Sequence, residues 1–234
     1  MKQKNNHSFR IYRVLFATVI LLAALFSNAI ADGKVGLYGI RMVPRGSDAR
    51  DFSRAGYGGG VHVVAPVPQL LNFVAGVGGF EIVNLLSETT TFRDRLTGLR
   101  IDQETSQNYG RLFIGAQAGG HGNGFIRPHA GINLALTYYG IETDVVIPDD
   151  FDREREIRQN LQEESRFVFG YDITLGVDLN FWNKWALDGG VRYVKSFSVP
   201  QQLGENAETI HPEYFQIYVG VGISFRTIGK AKSQ

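Results

Sequence analysis

Acyl-transfer and hydrolytic chemistry needs a nucleophilic hydroxyl or thiol, a histidine in reach of it, and an acidic group to orient the ring. The 234-residue chain has no Cys and five His. Four of these lie beyond the N-terminal segment: His62, His121, His129 and His211. None sits two residues before a Ser, the spacing that would put both on one strand face. His129 lies between Pro128 and Ala130, and His211 precedes Pro212-Glu213. No catalytic residue is assigned, and the expectation is a protein that is not an enzyme.

Metal chemistry fares no better. Asp149, Asp150, Asp152, Glu154, Glu156, Glu163 and Glu164 cluster, but Arg153, Arg155, Arg158 and Arg166 interleave with them. There is no regular ligand spacing and no central Gly of the kind calcium loops use. Mixed signs at i, i+3 and i+4 read instead as a solvated loop carrying a short helix. No metal or cofactor is expected.

What remains is charge pairing. Arg41, Arg111, Arg127 and Arg192 stand against Glu81, Asp172, Asp178 and Asp188, all within otherwise weakly charged segments. Four of each sign suit an enclosed space, where an unpaired charge is expensive. They predict a hydrogen-bonded polar network.

The elements that would hold this network read as strands. In Tyr214 to Phe225, residues Phe215, Ile217, Val219, Val221, Ile223 and Phe225 share one parity. Tyr214, Gln216, Tyr218, Gly220, Gly222 and Ser224 share the other. Twelve alternating residues exceed the usual ~5–6 of a globular strand. At about 45° tilt they cross a bilayer's hydrocarbon layer, for which roughly 9–11 residues suffice. Similar patterns run over Lys34–Val43, Ala55–Ala65, Leu70–Leu86, Asn108–Gly119, Phe125–Val145, Phe167–Phe181 and Trp185–Val199. In Leu70–Leu86, placing Glu81 inside puts Phe73 and Val77 inside with it.

The connections alternate in length. Long loops are expected at Pro44–Arg54, Ser87–Ser106, Ile147–Arg166 and Pro200–His211, and short turns between the other pairs. Nothing reads as a crossover helix, which argues against a parallel sheet. Eight strands with long and short loops segregated to opposite ends give an all-β, eight-stranded antiparallel up-and-down transmembrane barrel.

Ahead of it, Lys2, Lys4, Arg10 and Arg13 precede the apolar run Val14–Phe26, and Ala29 and Ala31 stand at −3 and −1 to Asp32. That is the layout of a cleavable secretory signal. The expected organisation is a signal peptide over 1–31, a barrel over 32–226 and a short tail over 227–234. Without the signal, 20 Lys plus Arg face 23 Asp plus Glu, net −3. A nucleic-acid surface is not expected.

A soluble barrel would place the apolar parity inside. Strand length and the balanced polar face oppose that, as do the aromatics. Phe181, Trp182 and Trp185 gather at one short turn, while Tyr138, Phe167 and Phe197 lie near long-loop ends. Rings at both rims suit an interfacial girdle.

At this point the chain resembles the small outer-membrane β-barrels typified by the OmpA transmembrane domain and OmpX. The terminal segment Tyr218-Val219-Gly220-Val221-Gly222-Ile223-Ser224-Phe225 is similar to their assembly signal, with Tyr218, Gly220, Ile223 and Phe225 at its defined positions. Here Arg226–Gln234 follows the aromatic residue on which many members end. The resemblance implies an outer-membrane location reached through a cleaved signal, and a monomer. It also implies contact with outer-membrane lipids and lipopolysaccharide, and with the barrel assembly machinery and periplasmic chaperones. An eight-stranded interior is just wide enough for side chains to fill it. A plugged, non-enzymatic barrel serving envelope integrity or surface interaction through its long loops is therefore expected. The alternative is an OmpW-like conduit for small or hydrophobic solutes, followed by an enzyme acting on lipid A.

Overall fold

The computed structural model describes residues 33–66, 74–93, 98, 100–119, 125–147, 157–181, 184–203 and 206–224. The expected signal peptide, Phe73, Trp182, Phe225 and the C-terminal tail lie outside the described residues. Strands β1 (Lys34–Arg45), β2 (Gly56–Pro66), β3 (Val74–Arg93), β4 (Arg100–Gly119), β5 (Ile126–Ile147), β6 (Ile157–Phe181) and β7 (Trp185–Ser196) follow in order. A two-stranded ribbon of β8 (Val199–Leu203) and β9 (Asn206–Ile210) precedes β10 (Glu213–Ser224). A short helix, α1 (Gly46–Phe52), joins β1 to β2.

Seven consecutive strands and β10 close into one antiparallel barrel, in the order β1-β10-β7-β6-β5-β4-β3-β2. Closure comes from pairing the last strand with the first, Lys34 opposite Ser224 through Arg45 opposite Glu213. The barrel then has no free edge along its wall. Alternation does the rest, because successive side chains point to opposite faces. Tyr38, Glu81, Arg111, Asp172, Arg192 and Gln216 point inward and are buried. Leu37, Ile132, Leu134, Phe167, Phe169 and Val219 point outward and are exposed. Polar-in and apolar-out is the arrangement of a barrel whose solvent is lipid. Val77 is buried inside with Glu81.

The long connections differ from expectation. Ser87–Ser106 is mostly ladder: β3 and β4 stay paired up to Arg93 opposite Arg100. The charged segment Ile147–Arg166 is β6 from Ile157 onward, paired back to β5 up to Ile147, so strand stands where a solvated loop with a short helix was expected. The helix lies in the first connection instead. These hairpins are polar on both parities, so no apolar face marks them as strands, and their neighbours in the ladder hold them extended. A register shift between Asn84 and Leu86 lies where β3 leaves β2 and continues beyond the barrel. Bulges serve this bending role at barrel rims.

The outward face sets a clear test. Ile132→Arg, in the middle of the β5 apolar run, is expected to destabilise the barrel by roughly 2–4 kcal/mol. Asn84→Arg at the upper edge of the band should cost about 0–1 kcal/mol. Urea titration of the protein in phospholipid vesicles measures both.

Candidate functional site

The lumen is the candidate site, and it is filled in three tiers. The middle tier centres on Glu81 of β3. Its carboxylate takes Arg111 Nε at 2.8 Å and Arg192 Nη1 at 2.8 Å. It also accepts from Gln216 Nε2 at 2.8 Å and Tyr38 Oη at 3.1 Å. Arg111 continues to Asp172 at 2.8 Å, which accepts from Asn133 at 2.7 Å and Thr174 at 3.0 Å. Arg192 Nε donates to Thr174 Oγ1 at 3.1 Å, and its guanidinium lies 5.0 Å over the Phe113 ring. Two cations meet two anions, so the tier is neutral. Side chains from β1, β3, β4, β5, β6, β7 and β10 take part.

The lower tier lies toward the short turns. Asp178 and Asp188 sit directly opposite each other on β6 and β7. Like charges so placed repel. Lys34 of β1 resolves the conflict, with Nζ at 2.6 Å from Asp178 and 3.1 Å from Asp188. His62 Nε2 lies 3.4 Å from Asp188, and His129 Nε2 is 3.0 Å from Tyr218 Oη. A Cβ at Gly176 would strike both His129 and Tyr218, so the glycine makes their meeting sterically feasible. Arg127 stands opposite Asp178 on β5 and is half-buried. His129, Asp178 and Asp188 bring ligand atoms within 4.8 Å of one another. Lys34 already bridges both carboxylates, so a divalent ion would have to expel a buried, doubly paired ammonium.

Between the two tiers lies a cavity of about 20 Å³, lined in part by His62, Gln117, Asn133, Asp188 and Arg192. It has room for about one water molecule.

The upper tier is aromatic and apolar. Tyr109, Tyr139 and Tyr214 stack edge-on or tilted at 5.4–5.9 Å, beside Met42, Leu85 and Val194. Tyr139 Oη meets Ser196 Oγ at 2.8 Å. Ala49 of α1 is buried against this cluster, so the helix covers the lumen on the long-loop side. Asp48 of α1 accepts the His211 backbone N–H at 2.9 Å and the Ser47 hydroxyl at 3.0 Å. These donors, the backbone N–H first, hold its carboxyl below the usual carboxylate range.

Of the eight charges predicted to face one another, Glu81, Arg111, Arg127, Asp172, Asp178, Asp188 and Arg192 lie on the lumen side. Arg41 does not. It is exposed on the outer face, 5.8 Å over the Tyr57 ring. On β1 the inward parity is that of Lys34, Tyr38, Ile40 and Met42. Both parities of β1 carry apolar residues, so alternation there did not choose a face. The Tyr38–Glu81 hydrogen bond marks which one points inward. Lys34 was missed for the same reason, although an even-numbered cation on β1 was its signal. Phe181, Trp185, Phe167 and Phe197 are exposed on the outside and Tyr138 is half-buried. Tyr218 points inward, while Ile223 points outward.

The contacts of Glu81 and Asp48 can each be tested. Glu81→Met strands two buried arginines and should cost about 3–5 kcal/mol, whereas the Glu81→Met, Arg192→Met pair restores neutrality and should recover most of it. Urea unfolding of the three proteins in vesicles checks this. The depressed Asp48 carboxyl stabilises α1 above the unfolded carboxyl pKa, and that contribution is lost as pH falls through the lowered value. Hydrogen exchange at the His211 amide, corrected for its intrinsic rate, should therefore accelerate below about pH 4 in the native protein but show no such step in Asp48→Asn.

No protein-family model matches the chain, and comparison with curated proteins gives no match. Solved structures do match. The crystal structure of Neisserial surface protein A is 12% identical with a TM-score of 0.52, over 82% of this chain and 97% of that one. Ail, the attachment invasion locus protein of Yersinia pestis, is 13% identical with a TM-score of 0.43, over 83% and 97%. A major outer membrane protein from Thermus thermophilus is 10% identical with a TM-score of 0.45, over 82% and 99%. At such identities the likeness is one of fold, and the fold of this chain is that of the small eight-stranded outer-membrane β-barrels.

Proposed function

We propose that this chain is an integral outer-membrane protein whose plugged barrel carries a surface-exposed sheet for interaction, and that it is neither a channel nor an enzyme. The observation that carries the reading is the filled lumen. A neutral ionic tier spans it, an aromatic tier lies above, and the gap between the lower tiers holds about one water. A conduit for solutes would have to break buried ion pairs. Among the described residues no serine hydroxyl is hydrogen-bonded to a histidine, and His62 and His129 are engaged in the lumen.

Beyond the rim, β3 to β6 continue as a four-stranded sheet. β3 pairs with β2 only as far as Asn84, and β6 meets β7 from Gly170 onward. Among the described residues nothing pairs with the outer edges of 86–93 and 157–168, the first roughly 25 Å long. Open edges offer backbone donors and acceptors to a partner strand. Arg158 and Arg166 on the second are tied to Glu104 and Glu164. In this reading Phe181, Trp185, Phe167 and Phe197 form the interfacial girdle. Tyr218, Gly220, Ile223 and Phe225 serve recognition by the assembly machinery after export by a cleaved signal.

Planar-bilayer recording on the purified protein tests the plug. No stable unit conductance is expected at neutral pH, and a reproducible open level would overturn the reading in favour of a conduit.

A further inference from the structure

The tier nearest the short turns offers more ligand atoms than its ion pairs use. Asp188 lies between two histidines, with Oδ2 at 3.4 Å from His62 Nε2 and Oδ1 at 3.8 Å from His129 Nε2. Asp178 faces it across the ladder. His62 Nε2, Asp178 Oδ2 and Asp188 Oδ1 have no hydrogen-bond partner among the described residues, and all three residues are more than nine-tenths buried. Buried polar atoms without partners are costly, so their convergence calls for a ligand.

The wall is shaped around the two rings. A Cβ at Gly36 would strike His62, as one at Gly176 would strike His129, and the Tyr38 ring flanks His62 at 5.2 Å. Two imidazoles and two carboxylates suit a borderline divalent metal such as zinc, whereas magnesium and calcium favour all-oxygen sets. Zinc bonds of about 2.0–2.2 Å place tetrahedral ligand atoms roughly 3.3–3.6 Å apart. The 3.4 Å spacing already meets that, and the 3.8 Å spacing needs a small contraction.

Two native contacts must yield to an ion. His129 Nε2 leaves Tyr218 Oη, and Lys34 Nζ leaves both carboxylates. Lys34 is the first residue of β1, opposite Ser224, and the stem packs over Gly222, where a Cβ would meet Lys34 Cδ at 3.0 Å. From a strand end, so long a stem can carry its ammonium to water on the short-turn side.

We propose that His62, His129, Asp178 and Asp188 form a zinc-type divalent metal site in which the Lys34 ammonium is a displaceable placeholder. The four ligands come from β2, β5, β6 and β7. β2 and β7 flank the β1–β10 pair that closes the barrel, so a bound ion cross-links the lumen across that seam. The site rests on the closed membrane barrel described above and is independent of any partner of the protruding sheet.

Zinc alone, added to the untagged full chain refolded in metal-free detergent micelles, tests this. Equilibrium dialysis with metal analysis reads stoichiometry and affinity, and urea unfolding reads stability. One zinc per folded barrel is expected, with a raised unfolding midpoint, and magnesium at the same concentration should do neither. Lys34→Met should bind about tenfold more tightly, because no charge-assisted hydrogen bonds have to be broken. His62→Gln should bind at least about tenfold more weakly, the least that loss of a ligand's supporting group costs. Cobalt(II) should give the visible absorption of a four-coordinate site in the wild type and lose it in His62→Gln. If Lys34→Met does not fold, His62→Gln and the cobalt spectrum decide the matter. Absence of stoichiometric zinc on the folded wild type overturns the proposal, as does unchanged affinity in a folded Lys34→Met. Binding that His62→Gln leaves unaltered also overturns it, marking an adventitious ion only. Each sample is also run unboiled in a detergent gel. A wild-type chain that shows no folded-barrel shift breaks the membrane reading itself, whereas a shifted chain that takes up no zinc breaks only this inference.

Discussion

The structure depends on the neutralisation of Glu81 inside a closed wall. A barrel of eight strands encloses too little room for bulk water, so every inward polar group must find its partners among other inward groups. Glu81 finds four: two guanidinium groups, an amide and a phenol. Asp172 balances the second positive charge. Removing one partner of such a set leaves a bare charge in a dry interior, which costs far more than the set contributes when whole. The network is accordingly better understood as a constraint on register than as a store of stability. A one-residue slip of any contributing strand would move its charge into lipid and an apolar side chain into the lumen.

The same constraint orders the rest of the interior. Asp178 and Asp188 face each other across β6 and β7, and a cation brought from β1 bridges them. β1 also pairs with β10, so the closure that joins first and last strands is what delivers Lys34 to its two carboxylates. Above the ionic tier no charge is needed. Three tyrosines, flanking aliphatic residues and the buried Ala49 of α1 fill the space, with serine hydroxyls meeting two of the phenols. The filled lumen leaves two surfaces accessible, the polar sheet above the rim and the lipid-facing wall.

Much of this was legible in the residues. Strands bounding the membrane region alternate because one face meets hydrocarbon and the other meets buried polar groups. That contrast located the eight barrel strands and put seven of the eight charges on the lumen side. Where the contrast disappears, so does the signal. Residues 87–93, 100–106 and 157–166 are strand with polar side chains on both parities, and their Thr, Gln, Glu and Arg residues carry no pattern. Only pairing with neighbouring strands shows that they are extended. The extra hairpin of β8 and β9 escaped for the same reason.

Period-2 patterning and charge balance are local or additive properties, so a long, alternating, closed sheet with a neutral polar face follows from the residues alone. Which arginine meets which carboxylate was decided only by tertiary structure. Arg192 reaches Glu81 across 111 residues of chain and Lys34 reaches Asp178 across 144, distances set by barrel closure and inter-strand register. Tertiary structure also turned Arg41 outward. Both parities of β1 are apolar enough to face either way, and the phenol of Tyr38, needed at Glu81, leaves the odd-numbered face to the lipid.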